Sequence, residues 1–470
     1  MQRHVSVDAL HDSLERSNPP KCHPNTRTAI LKDIISWFQD GDSETQALWL
    51  HGPAGAGKTA IAHSIAEMIQ AEGQLAAGFF FSRTATGRNH DKCLIATIVY
   101  QIMQSIPEAR SFIEEAATRD PLIFMKSLST QIRHLIVHPL KHMLVGPHTT
   151  SFPMLIVIDG LDECSPVESQ TNILTVIHTA FSQNSFPFRV LISSRAEPSI
   201  RDVFDSELAD STHQISLDDK YEPDRDIALY LRSKFSEVFR KHRRNRGMSS
   251  LPQSWPSEEA IQTLVKKASG QFIYAATVIR YIDVRHQRPD ERLNIVLGLS
   301  GSQNDKTSSN PFTELDELYQ QIFRSVVDIS FASHLLGALL ILKTPLPIDS
   351  FESLLGIQPG DTELALCNLH SVVRIPNNID EHSGNSTYIG LYHASLGDFL
   401  FDSQRAGVYH IGMESAHATL AESCLKKLSK QPIRRTDSIQ LTLRGIYISR
   451  NLKLPHPDHD CRLCRKIRMV

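Results

Sequence analysis

Residues 52–59 form a glycine-rich segment that ends in lysine and threonine and could bind a chain of phosphates. The segment reads GPAGAGKT and fits the pattern G-x-x-x-x-G-K-[ST]. The apolar residues Leu48–Leu50 before it predict a buried strand, and Ile61, Ile65 and Met68 after it are spaced to share one helix face. A strand, a loop and a helix in this order are the context in which such a loop binds a nucleoside triphosphate.

The loop and the start of its helix supply both hydrogen-bond donors and charge. The glycines let backbone N–H groups turn toward a phosphate, and the helix N-terminus adds positive potential. We expect the Lys58 ammonium to reach the β- and γ-phosphates and the Thr59 hydroxyl to bind Mg²⁺. The predicted nucleotide-binding residues of the loop are Gly52, Gly55, Gly57, Lys58 and Thr59.

A second apolar run, Leu155–Ile158, is followed by three acidic residues within five positions. Asp159 stands at the tip of this predicted strand, where a carboxylate beside the loop holds Mg²⁺ directly or through water. A further acid just beyond could orient or deprotonate an attacking water, which makes Asp162 or Glu163 the candidate general base. The sequence leaves both of these acids open for that role.

A third apolar run, Val190–Ser193, is followed by Arg195. In a nucleotide site this arginine would point at the γ-phosphate and report its presence. Arginines at strand ends also commonly form ion pairs on the surface, so the motif alone allows either role.

The elements that must position these residues belong to a parallel α/β sheet, because apolar runs alternate with helical patterns between residues 46 and 217. The predicted strands are Leu48–Leu50, Ala77–Phe81, Leu155–Ile158, Val190–Ser193 and His213–Leu217. Helices are predicted at Thr28–Phe38, Cys93–Ser105 and His410–Leu428. Helical patterns dominate from about 222 to 297 and again from 312 to about 404, where Ser371–Ile375 and Thr387–Tyr392 predict a short strand pair.

The predicted fold class is α/β: a P-loop NTPase sheet with helices on both faces, then a helical domain and a winged-helix-like domain. The predicted segments are an N-terminal segment at 1–45, the NTPase core at 46–217, the helical domain at 218–299, a linker at 300–311, the winged-helix-like domain at 312–405, a C-terminal helical segment at 406–450 and a polar tail at 451–470.

Composition narrows the class of protein. The formal net charge is −3, which does not indicate a general nucleic-acid or anionic-membrane surface, and the basic run at 240–246 is typical of a solvated loop. The most apolar stretch, Phe331–Leu342, is shorter than the roughly 20 residues that a membrane span needs. Seven scattered cysteines favour a reducing compartment. We therefore expect a cytoplasmic protein with no membrane span and no nucleic-acid partner.

Taken together, the segments WLHGPAGAGKTAIAHSIAE, LIVIDGLDEC and VLISSRAEPSI resemble the NACHT domain of the STAND class of signalling ATPases. More narrowly, they are similar to fungal NACHT proteins related to incompatibility and immune-type receptors. The resemblance implies ATP or ADP and Mg²⁺ as ligands, although the motifs also accept GTP. It further implies slow hydrolysis, self-association on activation, and signal transduction in innate immunity to a downstream effector protein of unspecified identity.

The same resemblance assigns three residues outside the core motifs. Arg27 ends a segment similar to the family's C-x-x-G-T-R, which lies near the nucleotide, with Asn25 in place of the glycine. Phe272 matches a position of the helical domain that touches adenine, where many relatives have proline. His393 matches the histidine of H-x-S-F-x-x-F-L, with Leu396 in place of Phe. In related receptors that histidine contacts the β-phosphate of ADP and locks the closed state.

Two other interpretations compete with a switch of this kind, and the tail raises a separate question. A P-loop phosphotransferase or other turnover NTPase would need an acceptor pocket, and no substrate motif follows Asp159. DNA binding by the winged-helix-like domain would need a basic recognition helix, but residues 363–370 carry no Lys or Arg. That question is whether the tail binds zinc or is disordered, and the candidate ligands are His456, His459, Cys461 and Cys464.

Overall fold

Most of the chain is described by a computed structural model, in ranges that end at residue 430. The described residues are 2–13, 20–41, 44–83, 85, 87–145, 153–181, 186–217, 221–242, 255–284, 288–298, 313–342, 346–376 and 388–430. The predicted linker at 300–311, the tail at 451–470 and the candidate zinc ligands lie outside the described residues. Within these ranges, no helix combines the length and the apolar character that crossing a membrane requires.

Five parallel strands form the central sheet. They are β1 (Ala47–His51), β2 (Leu75–Phe80), β3 (Met154–Asp159), β4 (Phe188–Ser194) and β5 (Thr212–Ser216). Their order across the sheet is β2-β3-β4-β1-β5, so β4 lies between the strand that precedes the glycine-rich loop and the strand that ends in Asp159. The five predicted strands are confirmed, each with bounds shifted by a few residues.

Helices cover both faces of this sheet, as predicted. They are α1 (Thr28–Gln39), α2 (Lys58–Ala71), α3 (Leu94–Ser105), α4 (Pro107–Arg119), α5 (Leu128–Ile132), α6 (His138–Val145), α7 (Val167–Phe181) and α8 (Pro198–Asp205). Neighbouring side chains of a strand point to opposite faces. In β1, Leu48 and Leu50 therefore pack with α1 and α2, whereas Trp49 packs in the cluster that includes α3 to α8.

The buried face of α2 differs from the predicted one. Ile61 and Ile65 are buried as expected, but the third apolar contact comes from Ile69, and Met68 is 42% exposed. The buried face also includes Ala62, so it is centred further round the helix than the predicted spacing placed it. That rotation turns Met68 toward solvent.

Helices dominate after β5, as predicted. They are α9 (Pro223–His242), α10 (Glu258–Ala268), α11 (Phe272–Ile282), α12 (Pro289–Gly298), α13 (Thr313–Arg324), α14 (Ile329–Ile341), α15 (Ile348–Leu355), α16 (Asp361–Leu366), α17 (Ser395–Phe401), α18 (Ser403–Ala406) and α19 (Met413–Lys430). Buried residues between Ile227 and Ala416 form one continuous hydrophobic cluster. The division of this part into two domains at 300–311 stays a prediction.

The predicted strand pair of the second half is much shorter than expected. β6 (Val373–Arg374) and β7 (Gly390–Leu391) pair antiparallel through two residues each. After β7 the chain turns into α17, and the Ser395 backbone N–H donates to His393 Nδ1 at 3.0 Å. His393 therefore lies in the turn between β7 and α17, one residue beyond the predicted strand Thr387–Tyr392.

Candidate functional site

The glycine-rich loop runs from the end of β1 to the start of α2. Gly55 and Gly57 have φ angles of +78° and +97°, a conformation that L side chains rarely adopt. Gly57 is the N-cap of α2, and Lys58 and Thr59 are its first residues. The sequence is therefore folded as the motif requires, with a left-handed turn immediately before a helix N-terminus.

The start of α11 packs directly on this loop. The Ile273 backbone N–H donates to the Gly55 carbonyl oxygen at 3.3 Å. A Cβ atom placed on Gly55 would lie 2.2 Å from Ile273 Cγ2, so only glycine allows this approach. The helical segment after the sheet thus forms part of the wall of the loop.

We expect Gly55→Ala to lower the free energy of unfolding by about 2–5 kcal/mol, from left-handed strain and from overpacking against Ile273. Gly73→Ala is the matched control, because Gly73 has a φ of +72° but no heavy atom of the described residues lies within 4 Å of its added Cβ. The control should lose only about 1–2 kcal/mol. Equal losses in denaturant unfolding would show that the contact with Ile273 does not constrain the loop.

The acidic side of the site begins at the end of β3. Asp159 is 2% exposed, and the Ser193 hydroxyl of β4 donates to its Oδ1 atom. The Gly160 backbone N–H donates to the same Ser193 oxygen at 3.3 Å. A buried carboxylate at a strand tip and the Thr59 hydroxyl are both oxygen donors, which suits a hard cation such as Mg²⁺. Ser193 is a positioning residue that sequence reasoning missed.

The two candidate general bases have different surroundings. Asp162 is bound to Arg195, whose backbone N–H donates to Oδ1 at 3.0 Å and whose Nε lies 3.3 Å from Oδ2. Glu163 accepts a hydrogen bond from the Arg83 backbone N–H at Oε2, at 3.0 Å. Burial, with a smaller contribution from neighbouring carboxylates, raises the pKa of Glu163 to about 7. Asp162 thus holds Arg195 in place, whereas Glu163 has the basicity of a group that takes a proton at neutral pH.

Arg195 follows β4 and connects the sheet to the C-terminal helices. Besides its contacts with Asp162, its Nη2 donates to Asp398 Oδ2 of α17 at 2.9 Å. Burial lowers the pKa of the Arg195 guanidinium, but Asp398 and Asp162 outweigh burial and the net shift is upward. The side chain predicted to sense a γ-phosphate is therefore placed between two carboxylates.

Lys58 lies inside the loop, where its Nζ donates to the carbonyl oxygens of Gly52 at 2.8 Å and Pro53 at 2.9 Å. Burial is the largest influence on the pKa of Lys58 and the net shift is downward. Asp162 and Arg195 also act on this ammonium, in opposite directions. The structure therefore places Lys58 under the electrostatic influence of the charged residues that follow β3 and β4.

His393 faces the same group of charges. Its Nδ1 accepts from the Ser395 backbone N–H and lies 2.7 Å from the Ser395 hydroxyl, which is 2.8 Å from the Tyr319 hydroxyl. Burial lowers the pKa of His393 to about 4, and the positive charges of Arg195 and Lys58 add to the effect. The ring is neutral at pH 7, and because Nδ1 accepts a hydrogen bond, its proton is on Nε2. His393 can thus donate a hydrogen bond from Nε2, within the electrostatic influence of Arg195 and Lys58.

Arg27 and Phe272 contact each other next to the glycine-rich loop. The Arg27 Nη2 donates to the Ala56 carbonyl oxygen at 2.7 Å, and its guanidinium lies 4.8 Å from the centroid of the Phe272 ring. Arg27 has a φ of +58°, and its backbone N–H donates to Asp226 Oδ2 at 2.8 Å. Tyr230 packs edge-on against Phe272. The two residues assigned by resemblance are thus in contact with each other and with the loop.

Sequence reasoning missed several groups of this site. Arg83, Ser193 and Asp398 contact the charged residues of the site. Tyr319 contacts the Ser395 hydroxyl beside His393, and Asp226 accepts a hydrogen bond from the Arg27 backbone N–H. None of them belongs to a glycine or acid pattern. The one local signal was the pair of serines that ends the apolar strand β4.

Comparison with known proteins gives a partial family match and a distant structural likeness. Residues 25–195, just over a third of the chain, match the family described as Nephrocystin 3, N-terminal, to which this region is similar. The crystal structure of Cdc6p from Pyrobaculum aerophilum is 14% identical, covers 89% of this chain and 98% of that chain, and has a TM-score of 0.34, which is too low to support an argument. No curated protein matches the chain.

The strands, the loop and the helices of the chain identify its fold without these comparisons. The glycine-rich loop after β1, the parallel sheet with helices on both faces, and the helices that follow are those of a P-loop NTPase. The family match spans the loop, the acids after β3 and Arg195.

Proposed function

We propose that this protein is a nucleotide-driven switch that binds ADP or ATP with Mg²⁺ in the loop at 52–59. One observation carries the proposal: α17 brings Asp398 into contact with Arg195 at the charged end of the sheet, and the turn before α17 holds His393 under the electrostatic influence of Arg195 and Lys58. A nucleotide bound there would touch two parts of the chain that are far apart in sequence. A ligand that contacts two parts differently in two states shifts the balance between those states.

The nucleotide would be held by the loop on one side and by the helical segment on the other. Backbone N–H groups of the loop and the Lys58 ammonium would bind the phosphates, while Thr59 and Asp159 would hold Mg²⁺. The cation neutralises phosphate charge when it is bound. The Arg27 guanidinium lies over the Phe272 ring, and a base that stacked on this pair would make the ligand a nucleoside rather than inorganic phosphate. This geometry accepts GTP as well as ATP.

Hydrolysis in this proposal uses Glu163 rather than Asp162 as the base. The carboxyl of Asp162 is held by Arg195, whereas a pKa of about 7 makes Glu163 able to take a proton from water at neutral pH. The Arg83 N–H fixes Oε2, and Oε1 would receive the proton. Hydrolysis resets the switch and is slow, so its role is regulatory.

The biological setting is the part of the proposal that rests on resemblance. The motifs are similar to those of fungal NACHT proteins, and that similarity supports a signal-transduction role in innate immunity. Nucleotide exchange would release the predicted winged-helix-like domain and allow self-association and contact with a downstream effector. We place this activity in the cytoplasm, in line with the composition.

We predict that His393→Leu favours the open, self-associating state. The neutral ring can donate from Nε2 to the β-phosphate of ADP, and losing a hydrogen bond to a charged group costs about 1.5–3 kcal/mol. ADP should therefore bind roughly 10- to 150-fold more weakly, with a smaller effect on a non-hydrolysable ATP analogue. Calorimetry with both nucleotides, and mass in solution at equal concentration, measure these effects.

The same measurements on the unmutated protein test the function itself, which requires binding of Mg-nucleotide and a mass that depends on which nucleotide is bound. If His393→Leu lowers the melting temperature equally with ADP, with the ATP analogue and without nucleotide, the histidine only packs in the core. If the unmutated protein bound neither nucleotide, the proposed switch would be rejected.

A P-loop phosphotransferase remains the second candidate. Its acceptor would have to approach the γ-phosphate from the side that Arg83 and Arg195 face, and α17 of the same chain occupies that side through Asp398. This contact favours the switch. Nucleotide turnover that increased at least tenfold with a small-molecule or protein acceptor would favour the transferase.

A further inference from the structure

One carboxylate of the C-terminal helices binds two arginines of the sheet domain. Asp398 Oδ2 accepts from Arg195 Nη2 at 2.9 Å, and Asp398 Oδ1 lies 3.3 Å from Arg83 Nη1. Both oxygens of the carboxylate are therefore engaged, each by a different arginine. The side chains of Asp398 and Arg195 are each 24% exposed and that of Arg83 is 47% exposed, so water screens the contact with Arg83 more strongly than the contact with Arg195.

Both arginines follow strands of the sheet, at the edge where the glycine-rich loop and the candidate base also lie. Arg195 follows β4, between the loop strand and β3, and it is held by Asp162. Arg83 follows β2, and its backbone N–H donates to Glu163, the candidate base. A phosphoryl group in line for hydrolysis must stand close to that base. The two guanidinium groups are thus within reach of the γ-position.

A carboxylate held by two guanidinium groups resembles a bound phosphoryl group in charge and in hydrogen-bond geometry, because both present oxygens that accept from the planar N–H donors of arginine. A γ-phosphate would bring further negative charge to the same donors. Asp398 and the γ-phosphate would therefore repel each other and compete for Arg83 and Arg195.

We propose that Asp398 is the residue that makes the closed arrangement selective for a nucleoside diphosphate. Its carboxylate takes the place of the γ-phosphate on Arg83 and Arg195, so a diphosphate is compatible with the contact and a triphosphate displaces it. This inference rests on the proposed nucleotide switch and names the residue that distinguishes a nucleoside diphosphate from a triphosphate.

The test is the ratio of the dissociation constants for an ATP analogue and for ADP, measured by calorimetry with Mg²⁺. Asp398→Asn keeps the size of the side chain and removes its charge. We expect it to tighten binding of the ATP analogue, to weaken ADP slightly, and so to lower the ratio about tenfold. Asp398→Ser should act in the same direction, and it provides a second reading if the first variant folds poorly.

Two controls separate charge at this position from general effects. Asp398→Glu keeps the charge and should keep most of the preference for ADP. Asp349→Asn neutralises an exposed acid in the first turn of α15 and should leave the ratio unchanged. A ratio that changes by less than twofold in both Asp398→Asn and Asp398→Ser overturns the selector role.

The outcome also distinguishes this inference from the proposed function. If the unmutated protein binds both nucleotides and Lys58→Ala loses both, the nucleotide site stands even when the ratio is insensitive to Asp398. If the unmutated protein binds neither nucleotide, the proposed function fails, and the selector role fails with it.

Discussion

Lys58→Ala should weaken binding of both ADP and ATP by roughly 10- to 150-fold, the effect of losing a hydrogen bond to a charged group at about 1.5–3 kcal/mol. Lys58 begins α2 directly after Gly57, which like Gly55 has a positive φ, and its ammonium lies inside the loop. Backbone N–H groups can still contact the phosphates in the variant, but the cation that reaches the β- and γ-phosphates is gone.

The matched control is Lys32→Ala, which removes an exposed lysine from α1 without touching the loop. Calorimetry on both variants, with melting temperatures to confirm folding, gives the comparison. Equal affinities for Lys58→Ala and Lys32→Ala would remove the phosphate-binding role of the loop.

Glu163→Gln should slow ATP hydrolysis by about 100-fold or more while nucleotide affinity stays within about threefold. The amide keeps the size of the side chain but cannot accept a proton from water. In the unmutated protein the base must be ionised to act, so with a pKa of about 7 the rate should rise with pH from 6 to 8 and then level off. Hydrolysis by Glu163→Gln at the parent rate would assign the base elsewhere.

The same raised pKa affects stability, in a direction that can be measured without nucleotide. The carboxyl of Glu163 holds its proton in the folded state up to about pH 7, whereas the unfolded chain releases it near the ordinary value of 4.5. The folded state therefore binds more protons between these two pH values, and its stability is lost as the pH rises through them. We expect Glu163→Gln to raise the melting temperature at pH 8 and to leave it nearly unchanged at pH 4.

The local parts of the site were predictable from sequence because each depends on neighbours along the chain. Glycines next to Lys58 and Thr59 define a loop and the start of a helix within eight residues. Asp159 follows an apolar run directly, so its place at a strand tip needed no knowledge of the rest of the fold. The five strands were predicted for the same reason, since buried parallel strands appear as continuous apolar runs.

Contacts between distant segments were not predictable in this way. Asp398 meets Arg195 and Arg83 across 203 and 315 residues, and no periodicity links an acid on α17 to arginines after β4 and β2. Periodicity also defines a helix face only to within a position or two, which is why Ile69 rather than Met68 is buried on α2.

The contacts of the N-terminal segment could not be predicted from sequence for the same reason. The Ser6 backbone N–H donates to the Thr97 hydroxyl of α3 at 2.9 Å, and Arg88 Nη1 donates to the Asp8 carbonyl oxygen at 2.8 Å. Residues 2–4 and 7–9 form short 3₁₀ turns, too short to show a repeating apolar pattern. Their packing against the NTPase core depends on the folded surface that they meet.

The most direct test of the nucleotide switch is the nucleotide content of the purified protein. The chain is denatured, and the released nucleotides are separated by ion-exchange chromatography and counted per molecule of protein, with Lys58→Ala treated in parallel. A closed switch that retains its diphosphate predicts close to one equivalent of ADP from the unmutated protein and almost none from the variant. Less than a tenth of an equivalent from the unmutated protein, together with no uptake after incubation with Mg-ADP, would contradict the account.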